Sequence, residues 1–229
     1  MIPCPLGVEA PLTSLTPDIA TIISKLQTFI VENEKVARRF IKRVCPDKKQ
    51  NDLRLLPLNK FTTPIEYSRY LDSCEIGESV GLISDAGCPG VADPGANIVA
   101  LAHQKNINVN PLVGPSSLLL ALMGSGLNGQ QFTFHGYLPI KAKERMTVIK
   151  RLERNAQKNN QTQLFIETPF RNIPLLEALI QHLQPDTLLT FACDLSLATQ
   201  WIKTYSIGQW KNIKLEDFHK RPAVFLLHR

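Results

Sequence analysis

The stretch Ser84-Asp85-Ala86-Gly87-Cys88-Pro89-Gly90-Val91-Ala92-Asp93-Pro94-Gly95 gathers more groups suited to ligand chemistry than any other part of the chain. Its glycines allow a ligand to approach the backbone closely. Asp85 and Asp93 offer carboxylates to ribose hydroxyls or to an amino group. The apolar run Val80–Ile83 precedes it and a helical pattern follows. The loop therefore belongs at the carboxyl end of a strand, where open α/β sheets bind ligands. A plainer reading stands beside this one: Asp93 caps a helix that begins at Pro94, and Asp85 only steadies the turn.

Other candidates carry less. Ser116 and Ser117 lack the G-x-S-x-G setting of a nucleophile and suit the start of a helix. Gly124-Ser125-Gly126-Leu127-Asn128-Gly129 matches G-x-G-x-x-G, but a helix precedes it and a strand follows. Dinucleotide binding needs the reverse order, so the segment reads as a helix end and turn. Asp85 and Glu167 are the candidate general bases, although Glu167 is also spaced to pair with Arg171 four residues on. The five cysteines and five histidines form no Cys-x-x-Cys or His-x-x-x-His pair, so no metal site is expected.

Helical and strand patterns alternate, which argues for an α/β architecture. Strands are predicted at Phe29–Val31, Leu53–Leu58, Val80–Ser84 and Val109–Val113. Helices are predicted near 16–27, 33–44, 64–74 and 94–105, with Thr16-Pro17, Thr63-Pro64 and Asp93-Pro94 as cap-plus-proline starts. Buried parallel strands follow from the unbroken apolar runs. Beyond Val113 come a Leu-rich helix, a strand at Phe132–His135 and a charged helix near 141–158. A strand at Gln163–Glu167 and a helix near 172–184 lead to strands Leu188–Cys193, Trp201–Ile207 and Ala223–His228. Consecutive strands predict a mixed sheet there. The expected division is 1–113 and 114–229. Met1–Cys4 leaves almost no room for a first strand before the turn at Pro5-Leu6-Gly7, so that strand is very short or trimmed.

Of the 229 residues, 44% are hydrophobic and 20% charged, enough apolar surface for packed domains. No apolar run reaches the roughly 18 residues of a membrane span, and the N-terminus lacks a secretory pattern. A cytoplasmic protein with reduced thiols and no membrane association is expected. The net charge of +6 permits a nucleic-acid partner. Two basic segments bear on this: Lys35, Arg38, Arg39, Lys42, Arg43, Lys48 and Lys49, and then Lys141, Lys143, Arg145, Lys150, Arg151 and Arg154. Each reads either as a phosphate-binding surface or as a solvated helix face.

The Ser84–Gly95 loop resembles the signature of the tetrapyrrole methylase fold, in particular its ribosomal RNA methyltransferase branch. Pro3-Cys4-Pro5-Leu6-Gly7, Pro111-Leu112-Val113-Gly114-Pro115-Ser116-Ser117, Phe134–Pro139 and Phe165–Arg171 resemble further family motifs in the same order. Glu32–Lys35, Pro57–Phe61 and Cys193–Leu197 depart from the branch's pattern. The resemblance implies two α/β domains, the first mostly parallel and the second mixed, with a cofactor cleft between them. It implies S-adenosylmethionine as methyl donor, touching Pro5, Ser84, Gly87, Cys88, Pro89, Ser116, Ser117, Leu195, Pro222 and Ala223. It also implies a homodimer and, as substrate, ribosomal RNA or the small ribosomal subunit, methylated on a ribose 2′-hydroxyl. A small-molecule methylase of the same fold and a non-enzymatic RNA- or protein-binding derivative are the alternatives.

Overall fold

A computed structural model describes residues 1–229. The chain divides into two compact units, Met1–Ser116 and Ser117–Arg229. The division falls three residues beyond the expected 113/114 boundary. Gly114 and Pro115 belong to the first unit because Gly114 packs on Pro3 and the Cys88 thiol donates to the Pro115 carbonyl at 3.3 Å.

The first unit runs α1 (Ile19–Lys25), β1 (Thr28–Val31), α2 (Glu34–Val44), β2 (Arg54–Pro57), α3 (Pro64–Tyr67), β3 (Val80–Ile83) and α4 (Ala96–Gln104). Its strands are all parallel in the order β2-β1-β3, with Thr28 opposite both Arg54 and Val80. All four residues of β1 are buried, which is why Thr-Phe-Ile-Val reads as one near-continuous apolar run. Phe29 and Val31 pack with Ile19, Ile23, Phe40 and Ile41 on one face. Ile30 packs with Leu82, Ile98 and Ala102 on the other.

Several helix starts differ from expectation. Thr63 does form a capping box with Glu66 ahead of Pro64. The first helix instead begins at Ile19, and Asp18 gives no side-chain cap. The 64–74 helix is one turn, followed by a 3-10 turn at Asp72–Ile76. Asp93 is not a helix cap. Ala92 at φ 62° and Gly95 at φ 139° hold the backbone outside the helical region, and α4 starts only at Ala96. Val109–Val113 is not a strand, because its one backbone rung, to Met1, does not make a ladder.

The second unit runs α5 (Ser117–Ser125), β4 (Phe132–Tyr137), α6 (Ala142–Asn159), β5 (Thr162–Glu167), α7 (Asn172–His182), β6 (Leu188–Cys193), β7 (Trp201–Ser206), α8 (Ile207–Trp210) and β8 (Ala223–His228). The sheet order is β4-β5-β8-β6-β7, with β4 and β5 parallel and every other pair antiparallel, the mixed sheet expected. Phe165, Phe191, Trp210, Phe218 and Phe225 fill its core, and the Trp210 indole N–H donates to the Leu189 carbonyl at 2.8 Å. The segment 124–129 is a helix end and turn. α5 runs to Ser125, Gly126 takes φ 71°, and the Ser125 hydroxyl accepts from the Leu127 N–H. The buried Glu153 carboxylate accepts from the Gln184 N–H at 2.8 Å and from the Thr187 hydroxyl. Partners of this kind are what permit a carboxylate to be buried.

Candidate functional site

In the first unit three loops converge where β1 and β3 end. The N-terminal segment is tied to the loop after β3 by a reciprocal pair of backbone bonds. The Cys4 N–H donates to the Gly87 carbonyl at 2.8 Å, and the Gly87 N–H donates to the Cys4 carbonyl at 3.0 Å. Gly87 sits at φ 70°, where a side chain would be strained, and an added Cβ would lie 3.3 Å from Leu6. The third loop closes on the first: a Cβ on Gly114 would lie 2.2 Å from the Pro3 Cβ. Pro5, Ser84, Gly87, Cys88, Pro89, Pro115 and Ser116 are thereby brought together from segments far apart in sequence. Pro5, Ser84, Gly87 and Pro89 are buried, Cys88 and Ser116 partly so.

Three carboxylates meet at this place. Burial raises the pKa of Asp93 to about 6; the Ser84 hydroxyl opposes the shift and the Asp85 charge adds to it. Asp85 is also raised by desolvation, against the pull of the Asn33 N–H. Glu32, the residue after β1, is raised by burial and then by the charges of Asp85 and Asp93. Burial, and after it the charges of the same two aspartates, push the Cys4 thiol far up. Groups of one sign held together disfavour their own ionisation and favour an incoming cation. No group of three or more His, Cys, Asp or Glu is placed to hold a metal ion.

Glu32 is not among the sequence candidates, and Asp93, read there either as a ligand-binding carboxylate or as a helix cap, does not cap α4. The signal for Glu32 was available: it is the first polar residue after a fully buried strand, at that strand's carboxyl end. Asn33, which follows it, caps α2 by accepting from the Lys35 and Val36 N–H groups.

The remaining candidates lie in the second unit and share one end of its sheet. Glu167 is opposite Ala223, and Ala223 is opposite Cys193. The Asp194 N–H donates to the Pro222 carbonyl at 3.0 Å, and Leu195 follows, buried. Asp194 at φ 51° and Ser196 at φ 67° turn the chain there, and the Asp194 carboxylate accepts from Arg221 at 2.7 Å and Thr199 at 2.9 Å. Glu167 is held by Arg171 through bonds of 2.9 and 2.6 Å and by the Thr168 N–H at 2.6 Å. All three use the same oxygen, Oε1; its second, Oε2, is buried without a partner. Ser117 opens α5.

The basic segments separate into two kinds. On α2, Arg38 donates to the Gln50 carbonyl, and Arg43 donates to the carbonyls of Val8 and Ala10, so both clamp loops. On α6, Lys143, Lys150, Arg151 and Arg154 are exposed. At 100° per residue, Lys143, Lys150 and Arg154 fall on one stripe opposite buried Leu152 and Ala156.

The raised Asp93 pKa has a stability consequence. Well below pH 3.8 the carboxyl is neutral in folded and unfolded chains alike and costs nothing. From there to about 6 the unfolded chain ionises first, so stability is lost as pH rises through the folded value. Asp93→Asn is therefore expected to stabilise the protein at pH 7.5 by about 1 kcal/mol, after discounting for partial solvent screening. The advantage should vanish by about pH 3 in denaturant titrations at the two pH values. An equal effect at both would show that the carboxylate is not electrostatically strained.

No family model matches the chain. It is 28% identical over 174 residues to the ribosomal RNA small subunit methyltransferase I of Escherichia coli O157:H7, a match covering 76% of this chain and 59% of that protein. It is 42% identical over 107 residues to the protein of the same name from Mesorhizobium japonicum, covering 47% of this chain and 35% of that one. The chain thus spans between about a third and three fifths of the length of these relatives. Among solved structures, the methyltransferase CobJ aligns with a TM-score of 0.63 at 18% identity, over 96% of this chain and 90% of that one. Over the matched residues the chain is similar to the ribosomal RNA small subunit methyltransferase I proteins, and it shares its α/β fold with the methyltransferase CobJ.

Proposed function

We propose that the chain is an S-adenosylmethionine-dependent methyltransferase that modifies a ribose 2′-hydroxyl of ribosomal RNA. The observation that carries this reading is the carboxylate group Glu32, Asp85 and Asp93, set beside the glycine-opened turn at Gly87. S-adenosylmethionine is a cation with a sulfonium and an ammonium group. Carboxylates held back from ionising by burial and by one another gain when such a ligand arrives. The names of the sequence relatives point the same way and supply small-subunit ribosomal RNA as the substrate; the ribose oxygen comes from the resemblance of the sequence motifs.

When bound, the sulfonium supplies a methyl group already activated for in-line displacement. The protein's part is alignment and exclusion of water. Gly87 presents backbone rather than a side chain to the ligand, and Gly114 lets Pro3 pack close beside it. Asp85 is exposed and its pKa is raised, which suits it to accept the hydroxyl proton. Glu167, fixed by Arg171, serves better to position than to take a proton. Lys143, Lys150 and Arg154 hold RNA phosphates, a role that Arg38 and Arg43 do not share because they clamp loops. A homodimer and a cytoplasmic setting complete the proposal. No helix is long and apolar enough to cross a membrane.

Two measurements test it. Methyl transfer removes the sulfonium charge, so the carboxylates should favour S-adenosylmethionine over its neutralised product, S-adenosylhomocysteine. In calorimetry, Asp85→Asn with Asp93→Asn should weaken the donor about tenfold, or ~1.4 kcal/mol. The demethylated product should change less, and the wild-type preference should fade as pH drops below about 6. Equal losses for both ligands would sink the electrostatic argument. For the RNA, Lys143→Gln, Lys150→Gln and Arg154→Gln together should lower affinity and flatten the log–log salt slope by about 2 to 3. Cofactor affinity should hold. An unchanged salt slope would make α6 a solvated face and favour a small-molecule acceptor.

A further inference from the structure

β2 ends at Pro57, and the Leu58 N–H donates to the Val31 carbonyl at 2.7 Å. The loop after β2 therefore leaves the sheet beside Glu32. The loops after β1 and β3 emerge at the same edge, because all three strands are parallel. That edge of a parallel sheet is where ligands bind.

The loop is closed by its own hydrogen bonds. Asn59 Oδ1 accepts from the Phe61 N–H at 2.9 Å, and the Asn59 N–H donates to Thr62 Oγ1 at 3.0 Å. The Thr62 hydroxyl donates to the Pro57 carbonyl at 3.1 Å, and the Tyr70 hydroxyl donates to the same carbonyl at 2.6 Å. Thr63 then caps α3. This short, fixed turn presents Phe61 to solvent at 78% exposure. A lone apolar side chain on a surface is ordinary. This one has a cation with it: the Lys60 ammonium lies over the ring, 4.9 Å from its centroid.

An aromatic face beside an ammonium group fits a nucleotide. A base stacks on the ring, and the ammonium meets a phosphate. The place also needs positive charge if RNA is to approach it. Glu32, Asp85 and Asp93 repel a polyanion, and the Arg38 and Arg43 guanidinium groups are occupied by backbone carbonyls. Pro57–Phe61 is a stretch in which the sequence departs from the family pattern, so the pair belongs to this chain's own residues.

We propose that Phe61 and Lys60 form a stacking platform for one unpaired base of the RNA acceptor, the ring holding the base and the ammonium the adjoining phosphate. The inference rests on the RNA methyltransferase reading and deepens it by naming residues that hold a splayed nucleotide.

The test uses the full chain, single-stranded RNA of about twelve nucleotides, and a strand of equal length that lacks bases. Phe61→Leu keeps apolar bulk but loses the aromatic face. It should weaken the base-bearing strand about tenfold and leave the abasic strand unchanged. Phe61→Trp should restore the affinity, and the emission of its added indole should be quenched by the base-bearing strand alone. Lys60→Gln should flatten the log–log salt slope by about 0.7 on both strands. Equal losses on the two strands, an unquenched indole, or full RNA affinity in Phe61→Leu would each overturn the platform, the last by leaving the ring to a protein partner. In those cases the wild type still binds RNA and the RNA reading stands. A wild type that binds S-adenosylmethionine but neither strand would overturn the RNA reading and the platform together.

Discussion

The reciprocal backbone bonds between Cys4 and Gly87 are the constraint on which the candidate site depends. They fix the N-terminal turn against the loop after β3, and that loop carries two of the three clustered carboxylates. The pairing requires Gly87 at a positive φ, and the neighbouring contact of Pro3 on Gly114 leaves no room for a side chain there. Backbone is thus brought close to backbone without polar side chains to mediate it. The consequence is a wall of peptide groups and small residues.

Charge is partitioned between the two units in a way that net charge conceals. The overall value of +6 describes a basic protein, yet the first unit gathers Glu32, Asp85 and Asp93 at one end of its sheet. The second unit carries the exposed basic stripe of α6. A methyl transfer from a sulfonium to RNA needs both signs, because the donor is a cation and the acceptor a polyanion. The proposed chemistry therefore asks for opposite fields in separate places, and the chain provides them.

Much of this was legible in the sequence where one local rule decides the outcome. The buried run of β1, the capping box at Thr63 and the glycine-rich turn at Gly87 each follow from their own residues. The misses include local ones, such as the shortened 64–74 helix, and others that depend on partners distant in sequence. Val109–Val113 has strand composition but lacks a ladder, since a strand exists only with its neighbour. Asp93 sits where a cap belongs by pattern, yet Ala92 and Gly95 take the backbone away and leave Asp93 beside Ser84. Arg38 and Arg43 read as surface charge, and only the folded chain shows that their guanidinium groups reach the carbonyls of Gln50, Val8 and Ala10. Glu32 was visible as the end of a strand, but its meeting with Asp85 and Asp93 depends on β1 and β3 being neighbours.

The central claim is methyl transfer from S-adenosylmethionine to a ribose oxygen of ribosomal RNA. Its most direct test uses the purified chain, methyl-labelled cofactor and small ribosomal subunits from cells lacking the protein's gene. Nuclease digestion and mass spectrometry then locate the label. The account predicts label on small-subunit RNA at a single nucleotide, carried by the sugar and not by the base. Label on the base or on ribosomal protein, or no label while the cofactor still binds, would contradict it.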